Sequence, residues 1–485
     1  DISLYWWQKA AIARMIYEPT AGLFHDMGAG KTLEQIIGVM EQKRLGLIRK
    51  PVICVKNHLL DQFRDEFLWA YPQARILCAD TSDLEGEGRR QFIARCAAEN
   101  PDAIIMTRGA FESIPLTPEG HEAYLDYMKQ MFTVHAKAAT ESVKDEETLL
   151  AEFEERLRAY FDPDYQKDED EDQDEPGRKR RKRRVEQDPA MCWEQMGIDY
   201  ACVDESQDFN NLWVPSDEPG MAVGFVHRSI DLEMKLHAIR RRYGSRAGAL
   251  ATGTPVTNKI SQFYVLQRYL RPERLQAAGF AGYAPWAATY TEPEQRLEMK
   301  ADGGFGLVTR MRLINFPELL LDLHYFGDFK DADDIGLPRP AIRGGKPEIR
   351  GNPAVAELVD YQSTLPERYY EAKGGKKEKG DDTVVAVIGD GFRAAQDLRL
   401  VKAKHGVKPS LTDEPQKIDH IADDVYAEWL AHRDDVYPAD DGQPDPVTGS
   451  LQLVFCNEGV PRDDWNLYDE LRNCLLYTSD AADDL

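Results

Sequence analysis

The sequence predicts an α/β fold built on a parallel sheet that is buried on both faces. Three observations predict it. Apolar runs of strand length recur along the chain, most of them lack the polar–apolar alternation of a half-exposed strand, and helical segments separate several of them. One run leads through a glycine-rich turn, "FHDMGAGKTLEQ" (24–35), straight into a helix. Strand, loop, helix, strand is the grammar of a doubly wound sheet.

In chain order, the strand-length runs are "AGLFH" (21–25), "PVICVK" (51–56), "ARILCA" (74–79), "DAIIMT" (102–107), "YACVDE" (200–205) and "GALATG" (248–253). After Lys31, the residues Leu33, Ile36, Ile37 and Met40 fall on one helical face, and Gly46 offers a stop. The rhythm breaks between about 116 and 192. Leu125, Met128 and Phe132 have helical spacing, as do Val143, Leu150, Phe153, Leu157 and Tyr160, which predicts an inserted helical arm. The arm runs into "QKDEDEDQDEPG" and then "RKRRKRR" (178–184). An acidic block against a basic block reads most simply as a solvated, self-neutralising loop. A DNA-touching tip and a nuclear address are the competing readings. From about 330 to 450 the chain is richer in Pro, Gly and charge, with one ordered island, "VVAVIGDGFRAAQDLRLV" (384–401). "GSLQLVFCNEG" (449–459) then reads as a new buried strand and "DDWNLYDELRNCLL" as a helix.

Composition narrows the class. The 485 residues lead us to expect about three domains. The formal net charge is −25, so any nucleic-acid contact must be a local basic groove on a chain whose summed field repels phosphate. The seven cysteines are scattered, without C-x-x-C spacing, and read as buried thiols in a reducing compartment, taken as the cytoplasm. No apolar stretch has the length of a membrane span. The chain opens on Asp1, and a fragment of a longer protein is expected. The final residues, "CLLYTSDAADDL", resemble a translated sequencing adapter, so 475–485 is read as a non-native tail.

Three motifs carry chemistry. Gly28, Ala29, Gly30, Lys31 and Thr32 form G-x-G-K-T between strand and helix. The glycines let backbone N–H groups approach phosphate oxygens at a helix N-terminus. Lys31 would reach the terminal phosphates and Thr32 would offer its hydroxyl to Mg²⁺. Alone, such a turn can be only a turn, and His25 stands where the common form of the loop has glycine. "YACVDESQ" places Asp204 and Glu205 at the end of a strand, where one carboxylate can serve Mg²⁺ and the other can orient or deprotonate water. "LATGTPVTN" places Thr252, Gly253, Thr254 and Pro255 on a turn after another strand. Its hydroxyls can link the acidic pair to a neighbouring surface.

In this order, the three resemble motifs I, II and III of superfamily 2 helicases and translocases, and "DMGAGKT" resembles the Swi/Snf branch. "LYWWQKAAIARMI" resembles that branch's adenine-reading element, which implies Gln8. "PVICVKNHLLDQFRDEF" resembles motif Ia, which implies DNA-backbone contact near Asn57 and His58. "DAIIMTRGAF" resembles motif Ib, with Thr107 as its phosphate contact. "TGTPVTNKISQFYVLQRYL", "NFPEL", "GDGFRAAQDLRL" and "LQLVFCNEGVP…NLYDELR" extend the likeness to large Swi/Snf-type proteins of phages and conjugative elements, in which the translocase often sits beside an adenine-specific DNA methyltransferase. In superfamily 2 the glycine that His25 replaces is loosely specified, and the resemblance implies Gln207 as the polar link from the acidic box to Thr252 and Thr254 of motif III.

The resemblance implies a RecA-like ATP-binding domain from 1–115 and 192–330, the arm at 116–191, a linker or brace at 331–448, and the start of a second RecA-like domain at 449–474. It implies ATP and Mg²⁺ as cofactors, Lys31, Asp204 and Glu205 as catalytic residues, and DNA, duplex by preference, as partner. Motifs V and VI, with the arginines that stabilise the transferred phosphate, lie beyond the motifs matched here. An arginine of that kind is worth about 10³ to 10⁵ in rate, so weak hydrolysis is expected of this chain alone. The alternatives are the motor subunit of a restriction system and a non-catalytic DNA-binding scaffold with a relict nucleotide site.

Overall fold

The structure is a computed structural model. It describes residues 2–138, 148, 151, 153–158, 191–214, 216, 220–221, 223–224, 226–299, 304–336, 356–374, 382–404, 417–439, 443–456 and 465–483. The charged blocks at 167–184 lie outside these residues, as do Val143, Leu150 and Tyr160 of the expected arm. The chain divides into two compact units, one of residues 1–297 and 307–339, the other of 298–306 and 340–485.

The first unit holds a seven-stranded sheet in the order β3-β4-β2-β5-β6-β1-β9. Its strands are β1 (Thr20–His25), β2 (Pro51–Val55), β3 (Ile76–Ala79), β4 (Ala103–Thr107), β5 (Tyr200–Val203), β6 (Gly248–Ala251) and β9 (Gly327–Lys330). Every pairing is parallel. This is the α/β, RecA-like sheet that the sequence predicts, and all six apolar runs are strands in it. β1, β2, β4, β5 and β6 are buried at every position, because alternate residues feed two cores. Leu23, Ile53, Ile105, Cys202 and Ala249 enter one core, with Met15 and Val39. Phe24, Val52, Ile104, Val203 and Leu250 enter the other, with Phe111, Met234 and Leu266.

The helices that position the site are α1 (Trp6–Tyr17), α2 (Lys31–Arg44), α3 (Leu60–Ala70), α4 (Glu87–Ala98) and α5 (Arg108–Ser113), followed by α6 (Pro118–Ala138) of the arm. Beyond the arm come α7 (His227–Tyr243), α8 (Ser261–Leu270), α9 (Phe316–Phe326) and the single turn α10 (Ala332–Ile335). α2 ends at Arg44, with Gly46 just beyond it in the left-handed region at φ 72°. Its buried face differs from the expected one. Glu34, Gln35, Ile36, Val39 and Gln42 are buried, while Leu33, Ile37 and Met40 are half-buried. Polar residues face inward here because they have buried polar partners, described below. The arm begins as expected: Met128, Phe153 and Leu157 are buried against the sheet's second core.

Three of the strands have no counterpart in the sequence reading. β9, "GDFK", is short and half polar, and it becomes a strand by pairing with β1, Gly22 beside Gly327 and His25 beside Lys330. β7 (Thr291–Met299) and β8 (Phe305–Leu313) form a separate two-stranded sheet.

In the second unit, α11 (Ala356–Gly374), α12 (Val384–Gln396), α13 (Leu398–Lys404), α14 (Lys417–His432) and α15 (Leu467–Asp483) are helices. The island at 384–401 is therefore helical, and α15 confirms the last expected helix and continues through the "TSDAAD" segment. Of the strand expected within 449–459, the described residues 449–456 form none. Residues 451–456 have no strand pairing, and Leu451, Leu453 and Phe455 are exposed, for no described segment offers them an edge.

Candidate nucleotide site

The site forms where β1, β5 and β6 end side by side. Gly28 and Gly30 take φ 84° and 86°, a region that L side chains rarely adopt. A Cβ on Gly30 would also meet Gln8 Nε2 at 2.4 Å. The loop is thus shaped for glycine and held from behind by α1. Trp7 Nε1 donates to the Ala29 carbonyl at 3.0 Å and Gln8 Nε2 to the same oxygen at 3.4 Å. Gln8 Oε1 accepts from the Tyr5 amide at 3.0 Å. Lys31 opens α2, and its Nζ donates to the carbonyls of His25 (2.9 Å) and Asp26 (3.2 Å), within the loop's own curl. Thr32 is half-buried in the first turn of the same helix.

Asp204 is 6% exposed. Gln35 Nε2 donates to its Oδ1 at 2.9 Å, fixing the carboxylate's rotation toward α2. Burial raises the Asp204 pKa, and the Gln35 hydrogen bond and the nearby Lys31 charge oppose that rise. Glu205 takes the left-handed conformation at φ 51°, one of two non-glycine residues with positive φ among the described residues. Gln207 Nε2 donates to Glu205 Oε2 at 2.6 Å, and Thr252 Oγ1 donates to Gln207 Oε1 at 2.5 Å. The Thr254 amide donates to Thr252 Oγ1 at 3.0 Å. The expected link from the acidic pair to the threonine turn is therefore a continuous hydrogen-bonded chain. Thr254 takes part through its backbone.

His25 does not face the phosphate side. Its side chain is fully buried, with Nδ1 3.0 Å from Glu34 Oε1 and Nε2 3.3 Å from Asp328 Oδ2. Burial lowers its pKa, but the contacts with Asp328 and Glu34 outweigh burial and push it up to about 9. The same contacts hold Asp328 below the usual carboxylate range against its burial. His25 is therefore an imidazolium at neutral pH, and it replaces a loop glycine without obstructing the loop.

Asn57 and His58 sit exposed on a 3₁₀ turn (Asn57–Leu59) after β2. They line a pocket of about 310 Å³ with Lys56, Arg108, Gly109, Glu112 and Arg228. Thr107 departs from expectation: it is 1% exposed, and its hydroxyl accepts from the Ala110 amide as the N-cap of α5. The next residue reaches the pocket instead, although it is itself only 8% exposed. Arg108 lines the pocket, pairs with Asp208, and donates to the Glu205 carbonyl at 3.2 Å. The sequence signal for it was present in "TRGAF", as a cation directly after a buried strand. Arg228, paired with Glu112 at 2.5 Å, comes from α7 and carried no motif.

The residues fit a magnesium nucleotide. Mg²⁺ is ordinarily held by one or two protein oxygens, with phosphates and waters completing its shell. Thr32 and Asp204 would offer those oxygens, beside a loop whose Gly28 and Gly30 sit at positive φ.

An α/β sheet with a glycine loop and an acidic pair at its strand ends defines a P-loop-type architecture. The chain belongs to the family described as "Probable helicase domain", which matches residues 15–331. No curated protein sequence matches it. Among solved structures, the Sulfolobus solfataricus SWI2/SNF2 ATPase core in complex with dsDNA is similar at 13% identity and a TM-score of 0.35. That match covers 90% of this chain and 66% of that one. The chain thus spans about two thirds of that structure's length, and a likeness at this level carries no argument about activity.

Proposed function

We propose that this chain carries the nucleotide-binding half of a DNA-dependent ATPase, which uses ATP with Mg²⁺ to move along DNA. One observation carries the reading: hydrogen bonds on either side of the adjacent residues Asp204 and Glu205 link the helix that follows the nucleotide loop to the pocket. Gln35 ties Asp204 to the helix behind the loop. Glu205 is tied through Gln207 to Thr252 on one side and, by its carbonyl, to Arg108 on the other. Membership of a helicase-domain family supports the same reading.

In this reading the Lys31 ammonium leaves the loop carbonyls for the terminal phosphates, and the loop amides cradle the remaining oxygens. Bound Mg²⁺ supplies charge neutralisation at those oxygens. Glu205 orients water and takes its proton, while Gln207 reports the position of Glu205 to the threonine turn. Lys56, Asn57, His58, Arg108 and Arg228 meet the DNA backbone, and Arg108 transmits its displacement to the acidic pair. The substrate is duplex DNA, tracked without strand separation. That choice, an origin in a phage or conjugative element, and an adenine-specific methyltransferase as partner rest on the sequence resemblance.

The test is nucleotide binding first and hydrolysis second. A fluorescent ATP analogue with Mg²⁺ binds the wild type, and Lys31→Ala weakens it by roughly tenfold or more, a loss of about 1.4 kcal/mol or more. Glu205→Gln retains binding but abolishes duplex-stimulated hydrolysis by the intact gene product. Equal binding by Lys31→Ala would remove the nucleotide site. Unchanged hydrolysis in Glu205→Gln would favour a scaffold, and strand displacement by the intact protein would favour a helicase over a translocase.

A further inference from the structure

The nucleotide loop has a second support that no motif describes. The stretch from β9 to Gly336 touches it at four points. β9 pairs along β1 from Gly22 to His25. Just past the strands, the Asp26 amide donates to the Lys330 carbonyl at 2.9 Å. Asp328 meets the buried imidazole of His25, whose backbone carbonyl in turn accepts from Lys31 Nζ. Ile335 on α10 closes a small apolar cluster with Ala29 of the loop and Trp7 of α1, all three buried.

The stretch is built to hold that position. Asp331 and Asp334 cap α10 reciprocally: the Asp334 amide donates to Asp331 Oδ1 at 2.8 Å and the Asp331 amide to Asp334 Oδ2 at 3.1 Å. Gly336, at φ 63°, ends the turn. Lys330 Nζ lies 3.2 Å from Asp328 Oδ1 and 5.8 Å from the centre of the Trp6 ring. These residues lie at the end of the first unit, whose last residue is Arg339.

We propose that residues 327–336 are a positioning strap for the nucleotide loop. Ile335 presses Ala29 from outside while Trp7 and Gln8 hold its carbonyl from inside, and the His25–Asp328 contact sets the strand end from which Lys31 hangs. Because the strap and the phosphate site share the loop, they are thermodynamically linked: nucleotide tightens the strap, and loosening the strap weakens nucleotide by the same factor. Ile335 and Asp328 are positioning residues, acting through the loop and not on the nucleotide. The inference rests on the nucleotide reading above and gives the loop a second support within the first unit.

The experiment uses the full chain, Mg²⁺ and ADP. Calorimetry measures ADP affinity in wild type, Ile335→Ala, Ile335→Val and Asp328→Asn, and amide hydrogen exchange follows 327–336 with and without ADP. We expect ADP to slow exchange in the strap. We expect Ile335→Ala and Asp328→Asn to weaken ADP by roughly five- to tenfold, in the usual range of such couplings, without lowering Tm in proportion, and Ile335→Val to restore affinity. If ADP binds but leaves strap exchange unchanged, and the variants bind as wild type does, the strap is overturned while the nucleotide site stands. An affinity loss that only follows a falling Tm, unrescued by Ile335→Val, overturns it as well. If wild type binds no ADP, the nucleotide reading itself falls.

Discussion

At the scale of single residues, His25 is the most informative side chain. A glycine-for-histidine exchange in a phosphate loop looks like damage, yet the imidazole is turned away from the loop into a buried pocket between two carboxylates. Its sign of action on stability follows. The native pKa, about 9, lies above the ordinary value of 6.5, so the native state holds the proton more tightly than the unfolded chain. The stabilisation is complete below about pH 6.5 and is lost as pH rises through about 9. At 1.36 kcal/mol per unit it amounts to about 3 kcal/mol. Denaturant unfolding of the wild type between pH 6.5 and 9.5 should show that decline, and His25→Gln should flatten it. Parallel slopes for the two proteins would mean that no such ion bridge exists. Glu34 and Gln35 make the same point about legibility. A reading by apolar spacing put Leu33, Ile36, Ile37 and Met40 on one face, of which only Ile36 is buried. It could not see that a carboxylate and an amide are preferred inside, because their partners, His25 and Asp204, are distant or on another element.

At the scale of elements, the strands buried on both faces were legible, since continuous apolar runs between helices have few other uses. The acidic pair and threonine turn were legible because backbone topology places consecutive strand ends together. β9 was not, because four residues with two charges become a strand only through their neighbour. The run at 451–456 was misread for the mirror reason: apolar residues without an available edge remain unpaired. The attachment of the arm was also hidden. Glu233 on α7 is buried and accepts from the Tyr124 hydroxyl on α6 and from Arg268 on α8, the latter through Nε at 2.9 Å and Nη2 at 2.6 Å. Arg268 also donates to the Trp213 carbonyl at 3.0 Å. Three helices thus meet on one buried carboxylate. Arg268→Met strands that charge and should destabilise the first unit by roughly 3–5 kcal/mol, whereas the double variant with Glu233→Leu should recover most of the loss. Urea midpoints of the four proteins in the cycle decide it; additive losses would show that the pair is not coupled.

At the scale of the whole molecule, the net charge of −25 and a proposed DNA partner are in tension. The structure localises the resolution. Lys56, Arg108 and Arg228 line one pocket, and Asp208 and Glu112 pair with two of them. In the proposed DNA contact, few phosphates would therefore be neutralised by this pocket, and the dependence of affinity on salt should be shallow. Each phosphate contact contributes about −0.9 to the slope of log affinity against log salt for duplex DNA. Arg228→Ala should reduce the slope by about one and weaken all sequences alike, read by fluorescence anisotropy at several salt concentrations. An unchanged slope would remove this pocket from the DNA path. No described helix is long and apolar enough to cross a membrane.

The order of the sheet has one more consequence. β1, which carries the nucleotide loop, lies between β6 and β9, and its pairs with them run to Ala251 and Lys330. A ribosome making roughly 5–20 residues per second therefore takes some tens of seconds after finishing β1 to supply either neighbour. The first strand made waits for the last two strands of its sheet. During synthesis the apolar stretch from Thr20 to Phe24 must wait without a strand on either side, and the candidate nucleotide loop gains its neighbours only near the end of the unit's translation.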